Sequence, residues 1–198
     1  MAQPAAKLAT WEDLWTLPEG VRAEIIDGVI EAMPSPSYDH QDLVIEIIQP
    51  LREKFLHGRD GPGGWWIIAD VDVALAAHQV VRPDLAGWRK VRVPNRPTRP
   101  VRAVPDWALE VVSSRGSRRD RVTKMELYRS HGVPHYWLAD PVGRVLEAYH
   151  LGERVVRLGA WTNETEARIP PFDAVALDVA AMFAVLGPES PESSADEG

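Results

Sequence analysis

The sequence contains no cysteine, which excludes a disulfide framework, a thiolate zinc site, an iron–sulfur cluster and a cysteine nucleophile. Any metal must sit on oxygen or imidazole. No stretch approaches the roughly 20 consecutive apolar residues that a membrane span requires. The opening MAQPAAKLAT also lacks the apolar block of a secretory signal. A soluble, cytoplasmic protein with no membrane partner is expected. An excess of positive charge is missing too: 22 Lys and Arg stand against 29 Asp and Glu, a net charge of −7, which argues against a general nucleic-acid coat protein. No internal repeat is visible. What is there is 198 residues with 45% hydrophobic content, enough for one sizeable core and too short for two full domains.

The expected layout is a flexible N-terminus over 1–9, a single domain over 10–186 and a disordered acidic tail over 187–198, where PESPESSADEG lacks apolar anchors. Thr10 and Asp13 form a capping-box pattern that opens a short helix ending by Pro18. AEII and VIEAM flank Asp27-Gly28, a pair that favours a two-residue hairpin turn. From Tyr38 to Leu56 apolar residues recur at helical spacing, with Pro50 expected to kink or split the helix. WWIIADVDVAL reads as a strand or a bent pair, VRPDLAGW as another strand, and DWALEVVS as a buried one. Ser117 and Asp120 suggest a second capping box for a helix through Tyr128 that stops at Gly132. The strand HYWLAD, a hairpin from RVLEAYHL and RVVRL, and a last helix capped by Asp178 complete an α/β pattern with a mixed sheet.

Charge is uneven along this pattern. Between Arg82 and Arg129 lie thirteen basic and five acidic residues, so a basic strip on an acidic body can face phosphates. Arg89, Lys90, Arg92 and Arg96, in a loop punctuated by Pro94, Pro97 and Pro100, and Arg115 and Arg118 further on, are the candidate nucleic-acid contacts. A solvated arginine-rich loop is the plainer reading. Trp88 could stack on a base, although a buried anchor is the simpler role.

The informative acids are those in otherwise apolar strands. Asp84 follows Pro83 at the start of one, and Glu110 lies in the run WALEVV of the next. A buried carboxylate needs a partner, because desolvation costs several kcal/mol. Two on neighbouring strands repel unless a cation lies between them, and a hard divalent ion takes such oxygen ligands. Lys124 falls in the following helix, with Tyr128 one turn on and on the same face. Together these supply the parts for phosphodiester hydrolysis. His40, at the start of the first long helix, could touch substrate or metal, or simply cap and pack. Three other patterns are weaker. His131 and His135 have helical zinc spacing, but Gly132 and Pro134 break that helix. Asp106 sits at a strand mouth. Asp70-Val-Asp72 has nucleotidyltransferase-like spacing without the required Gly-Ser phosphate loop upstream.

VRPD, VPDWALEVVS and RRDRVTKMELYRSHGVPHYWLADP, with RAEIIDGVIEAMPSPSYDH before them and FDAVALDVAAMF after, resemble the restriction-endonuclease family long labelled a domain of unknown function, within the PD-(D/E)xK nuclease superfamily. The resemblance covers roughly residues 10 to 186. It implies a restriction-endonuclease-like α/β fold: a mixed central sheet flanked by helices, with an N-terminal hairpin and a C-terminal β extension. It implies a Mg²⁺- or Mn²⁺-dependent DNA endonuclease with Asp84, Glu110 and the Val111 carbonyl as metal ligands and Glu24 as a further carboxylate. Lys124 would replace the lysine normally two residues after the glutamate, where Val112 stands. No organic cofactor is implied, and a homodimer follows by analogy, since duplex cleavage needs two sites. The rival keeps the fold without the chemistry: an inactive nucleic-acid-binding or protein-interaction module, favoured by the net charge and the missing lysine.

Overall fold

A computed structural model of the chain describes residues 7–112 and 119–187. Helix α1 (Trp11–Leu14) starts at the expected capping box, with Thr10 and Asp13 bonded reciprocally. Strands β1 (Ala23–Ile26) and β2 (Val29–Ala32) pair across Asp27 and Gly28. Their φ values of 50° and 77° are the positive pair that a type I′ turn demands. Helix α2 (Tyr38–Leu51) is capped by the Ser37 side chain, which accepts from the His40 amide. Pro50 neither ends nor breaks it. The chain passes through Pro50 and then widens into a π-helical stretch, Arg52–Leu56. A proline removes one ladder bond and crowds the preceding turn, and the wider helix begins directly beyond it.

The remaining elements are β3 (Trp65–Ala69), β4 (Val73–Ala76), β5 (Gln79–Val81), β6 (Leu85–Arg89) and β7 (Trp107–Val111). They are followed by a π-helical stretch over Arg119–Lys124 leading into α3 (Met125–Ser130), then β8 (His135–Asp140), β9 (Val145–Leu151), β10 (Val155–Trp161) and α4 (Val179–Ala184). WWIIADVDVAL is the bent pair, with β3 and β4 in different sheets. VRPDLAGW differs from its reading as one strand, because β5 ends at Val81 and β6 begins at Leu85. Pro83, which has no N–H to give a ladder, lies in the crossing between sheets. Residues 1–6, the Ser117 half of the second capping box and the tail from 188 fall outside the described residues.

Two sheets result, one of four strands in the order β2-β1-β5-β4 and one of six in the order β10-β9-β8-β7-β6-β3. The larger is mixed: β7 and β8 run parallel, and its other pairs are antiparallel. A parallel neighbour requires a crossover, and α3 lies in it. Alternation along β7 sorts its side chains. Trp107, Leu109 and Val111 join the layer under α2 and α4, which is centred on Leu43, Ile47, Phe55, Trp137 and Phe172. Ala108 and Val112 join the opposite layer, formed with Met125, Leu127 and Tyr128 of α3 and with Val73 and Val81 of the small sheet. Glu110 shares that second face, so the sheet carries an acid into the space between the two sheets and α3.

Candidate active site

Strands β6 and β7 pair as Leu85 with Leu109, Ala86 with Ala108 and Gly87 with Trp107. One further step along this register sets Asp84 opposite Glu110. Directly opposed residues have Cβ atoms about 5 Å apart, and like charges there repel. Both are nearly closed off, at 8% and 3% exposure. Each acid is therefore supplied with its own partners. One carboxylate oxygen of Asp84 accepts from the Val111 amide at 2.8 Å, and the other lies 2.8 Å from His40 Nε2. The Ser37 cap holds His40 in the first turn of α2, which brings it over the end of β6.

Glu110 Oε1 accepts from Lys124 Nζ at 2.9 Å and from the Tyr128 hydroxyl at 2.8 Å. The same ammonium lies 3.0 Å from Glu24 Oε1, which also accepts from the Arg82 amide at 2.7 Å. Lys124, Glu24 and Tyr128 are buried. Lys124 and Tyr128, four residues apart, present one helix face to the strand end. Burial, followed by the negative charges of Glu110 and Glu24, pushes the Tyr128 phenol well above its ordinary range. It stays a hydrogen-bond donor at any physiological pH. Four of the positions marked from the sequence, Glu24, Asp84, Glu110 and Lys124, thus meet, and His40 and Tyr128 join them. Val111 meets the group through its amide. Tyr128, expected on the Lys124 face, donates to Glu110.

Among the described residues, no three His, Asp or Glu side chains are gathered closely enough to cage a metal ion, and the Lys124 ammonium bonds both Glu24 and Glu110. The remaining donor set is Asp84, Glu110 and the Val111 backbone. The Lys124 ammonium bonds Glu24 and Glu110, while Asp84 is held by His40 and the Val111 amide. Mg²⁺ is commonly held by one or two carboxylates together with water and substrate phosphate, so these residues fit a hard divalent cation.

The basic residues divide. Arg89 and Lys90 lie at the opposite end of β6 from Asp84, about 16 Å along a five-residue strand. The Lys90 ammonium donates to the Leu56 carbonyl and lies over the Trp66 ring. Arg92 is held by Asp106 and the Val104 carbonyl. Arg89 stacks on Trp65 and Arg96 is exposed. Arg115 and Arg118 fall outside the described residues. Trp88 is fully buried and its Nε1 donates to the Ala103 carbonyl, so it is an anchor. Asp72 pairs with Arg82 and Arg99, and Asp70 with Arg22. Asp70 has a φ of 47°, which breaks the strand alternation that the D-V-D spacing relied on. Arg82 was not among the site residues marked from the sequence, yet its amide holds Glu24 while its guanidinium holds Asp72. Its place just ahead of Pro83-Asp84 was the available signal.

A mixed sheet with facing acids at the ends of two adjacent strands, and a lysine brought to them by the next helix, defines a nuclease-like α/β protein. The chain matches the Uma2 family model, described as "Putative restriction endonuclease", over residues 10–180, and it belongs to that family. It is similar to the crystal structure of a "putative nuclease" from Anabaena variabilis, with a TM-score of 0.70 and 20% identity. That likeness covers 88% of this chain and 97% of the other, so the restriction-endonuclease-like fold is the observed one. No curated protein matches. Among the described residues, no helix is long and apolar enough to cross a membrane.

Proposed function

We propose that this chain is a Mg²⁺- or Mn²⁺-dependent endonuclease of the PD-(D/E)xK type that hydrolyses DNA phosphodiester bonds. The observation that carries this reading is the placement of Asp84 opposite Glu110 with Lys124 bonded to Glu110. Asp84, Glu110 and the Val111 carbonyl would hold the ion. A bound divalent ion supplies polarisation of the phosphate oxygen and a water of lowered pKa.

The chain's own groups do the rest. His40 and the Val111 amide fix the Asp84 carboxylate. Tyr128 and Lys124 fix that of Glu110, and Glu24 holds the ammonium in place. Lys124 would face the negative charge that develops on the phosphate in the transition state, a preorganised electrostatic role. Val112 is on the same face of β7 as Glu110 and is buried in the apolar layer, so the helix delivers the ammonium that the strand does not. Arg89 and Arg96, at the two ends of β6, would contact phosphates, while Lys90 and Arg92 brace the loop between them. We further infer a single catalytic domain over 10–186 that works in the cytoplasm as a homodimer, one site for each strand of a duplex.

Nicking of supercoiled plasmid tests the proposal, with Mg²⁺, Mn²⁺ and chelator and with Asp84→Ala and Lys124→Ala beside the wild type. Metal-dependent cutting that disappears in both variants is the expected result. The nearly complete burial of Lys124 between two carboxylates favours one alternative, an inactive nucleic-acid-binding or protein-interaction module. Wild-type protein that binds DNA but cuts with neither ion would establish it.

A further inference from the structure

A cleft of about 330 Å³ lies between the Asp70–Asp72 bend and the loop through Arg96 and Arg99, with Arg82 on its wall. Its lining meets the backbone beside the acids. The Asp70 amide donates to the Asp84 carbonyl at 3.0 Å, and the Arg82 amide donates to Glu24. Asp72, at 2% exposure, has no part in the chemistry proposed above. A carboxylate buried this deeply persists only with matched cations. Arg82 bonds one of its oxygens, with Nη2 at 2.7 Å, and Arg99 bonds the other. Each guanidinium carries five N–H donors, so both keep donors for a further partner. Arg99 also lies over the rings of Trp11 and Trp15, which limits its freedom. Arg96 is exposed and forms no ion pair among the described residues. Arg22, Arg82, Arg96 and Arg99 outnumber Asp70 and Asp72, so this corner is cationic beside an anionic site.

We propose that this cleft seats a phosphate of the nucleic-acid strand next to the bond that Asp84 and Glu110 address. Arg96 is the contacting cation, and Asp72 is a positioning residue that presents Arg82 and Arg99. The proposal rests on the nuclease reading and adds the place where the flanking strand is held. Arginine forks suit phosphate oxygens, and two of these three are held by a buried acid before any ligand arrives, which lowers the ordering cost of binding.

The test is fluorescence anisotropy of a labelled DNA duplex with Ca²⁺ in place of Mg²⁺, across a salt series. Wild type is compared with Arg96→Ala, Arg96→Lys, Asp72→Asn and the distant control Arg154→Ala. Arg96→Ala is expected to weaken binding about fivefold and to reduce the slope of log affinity against log salt by about one. Arg96→Lys restores the slope, Asp72→Asn weakens binding similarly, and Arg154→Ala binds like wild type. Duplexes with and without a 5′-phosphate separate the sources. Equal losses assign the seat to an internal phosphate, and a loss confined to the phosphorylated duplex assigns it to a strand end. Wild-type binding with an unchanged Arg96→Ala slope and affinity overturns this inference alone, and that exposed variant stays informative if Asp72→Asn misfolds. Absence of wild-type binding at every salt overturns the nuclease reading with it.

Discussion

Replacing Lys124 by Met removes the ammonium that lies 3.0 Å from Glu24 and 2.9 Å from Glu110 while keeping most of its volume. Two carboxylate oxygens bonded to one nitrogen at those distances are at most about 6 Å apart, where unit charges repel by roughly 3 kcal/mol at an effective dielectric near 20. Removing one partner of a buried ion pair destabilises by about 3–5 kcal/mol, and a loss of that size is expected at pH 7. The pH dependence has a definite sign. Proton uptake by either acid relieves the repulsion in the folded variant, so its folded state binds more protons than its unfolded state. Stability then falls as pH rises, and the deficit shrinks on acidification. Urea unfolding followed by circular dichroism, for wild type and Lys124→Met at pH 7 and pH 5, measures both quantities. Adding Glu110→Gln to Lys124→Met should recover part of the loss by removing one of the opposed charges. A deficit below about 1 kcal/mol, or one unchanged between the two pH values, would refute the argument.

Other expectations follow from the same contacts. Tyr128→Phe removes a donor to a buried carboxylate and should cost about 1.5–3 kcal/mol; in the wild type, ultraviolet titration should leave one tyrosine protonated well above pH 10. His135 is pushed down to about 4, first by burial and then by the charges of His150 and Arg89. The unfolded chain therefore takes up its proton first, and stability is lost as pH falls from about 6.5 towards 4. His135→Gln should flatten that limb of the pH profile, and proton NMR should place the imidazole titration near 4. His40→Ala frees Asp84 and should raise the Mg²⁺ concentration needed for cleavage about tenfold, read from the metal dependence of plasmid nicking.

Asp84 and Glu110 were legible because ionised groups in apolar strands demand an explanation, and Asp27-Gly28 because its turn chemistry is local. A functional role for His40 was an open possibility, but its contact with Asp84 was not readable, since it joins a helix start to a strand start that nothing in local spacing connects. The division of VRPDLAGW between two sheets was hidden for a related reason. An apolar run shows that residues are buried, not which neighbour buries them. Lys90, Arg92 and Arg96 looked alike as members of one basic loop. They differ because Asp106 and the Leu56 carbonyl capture two of the three, and long-range acceptors of that kind leave no mark on the loop itself. The π-helical widening after Pro50 depends on how the helix relieves one lost bond, which composition does not specify.

The Lys124 tie also has a consequence for biosynthesis. Glu24 is made before β7, and its ammonium partner emerges only after β7. A nascent polypeptide that already displays the hairpin and both strand acids still lacks the cation that joins them. The three-way tie therefore closes only once the crossover helix has been made, and fragments ending at β7 lack the ammonium that joins Glu24 to Glu110.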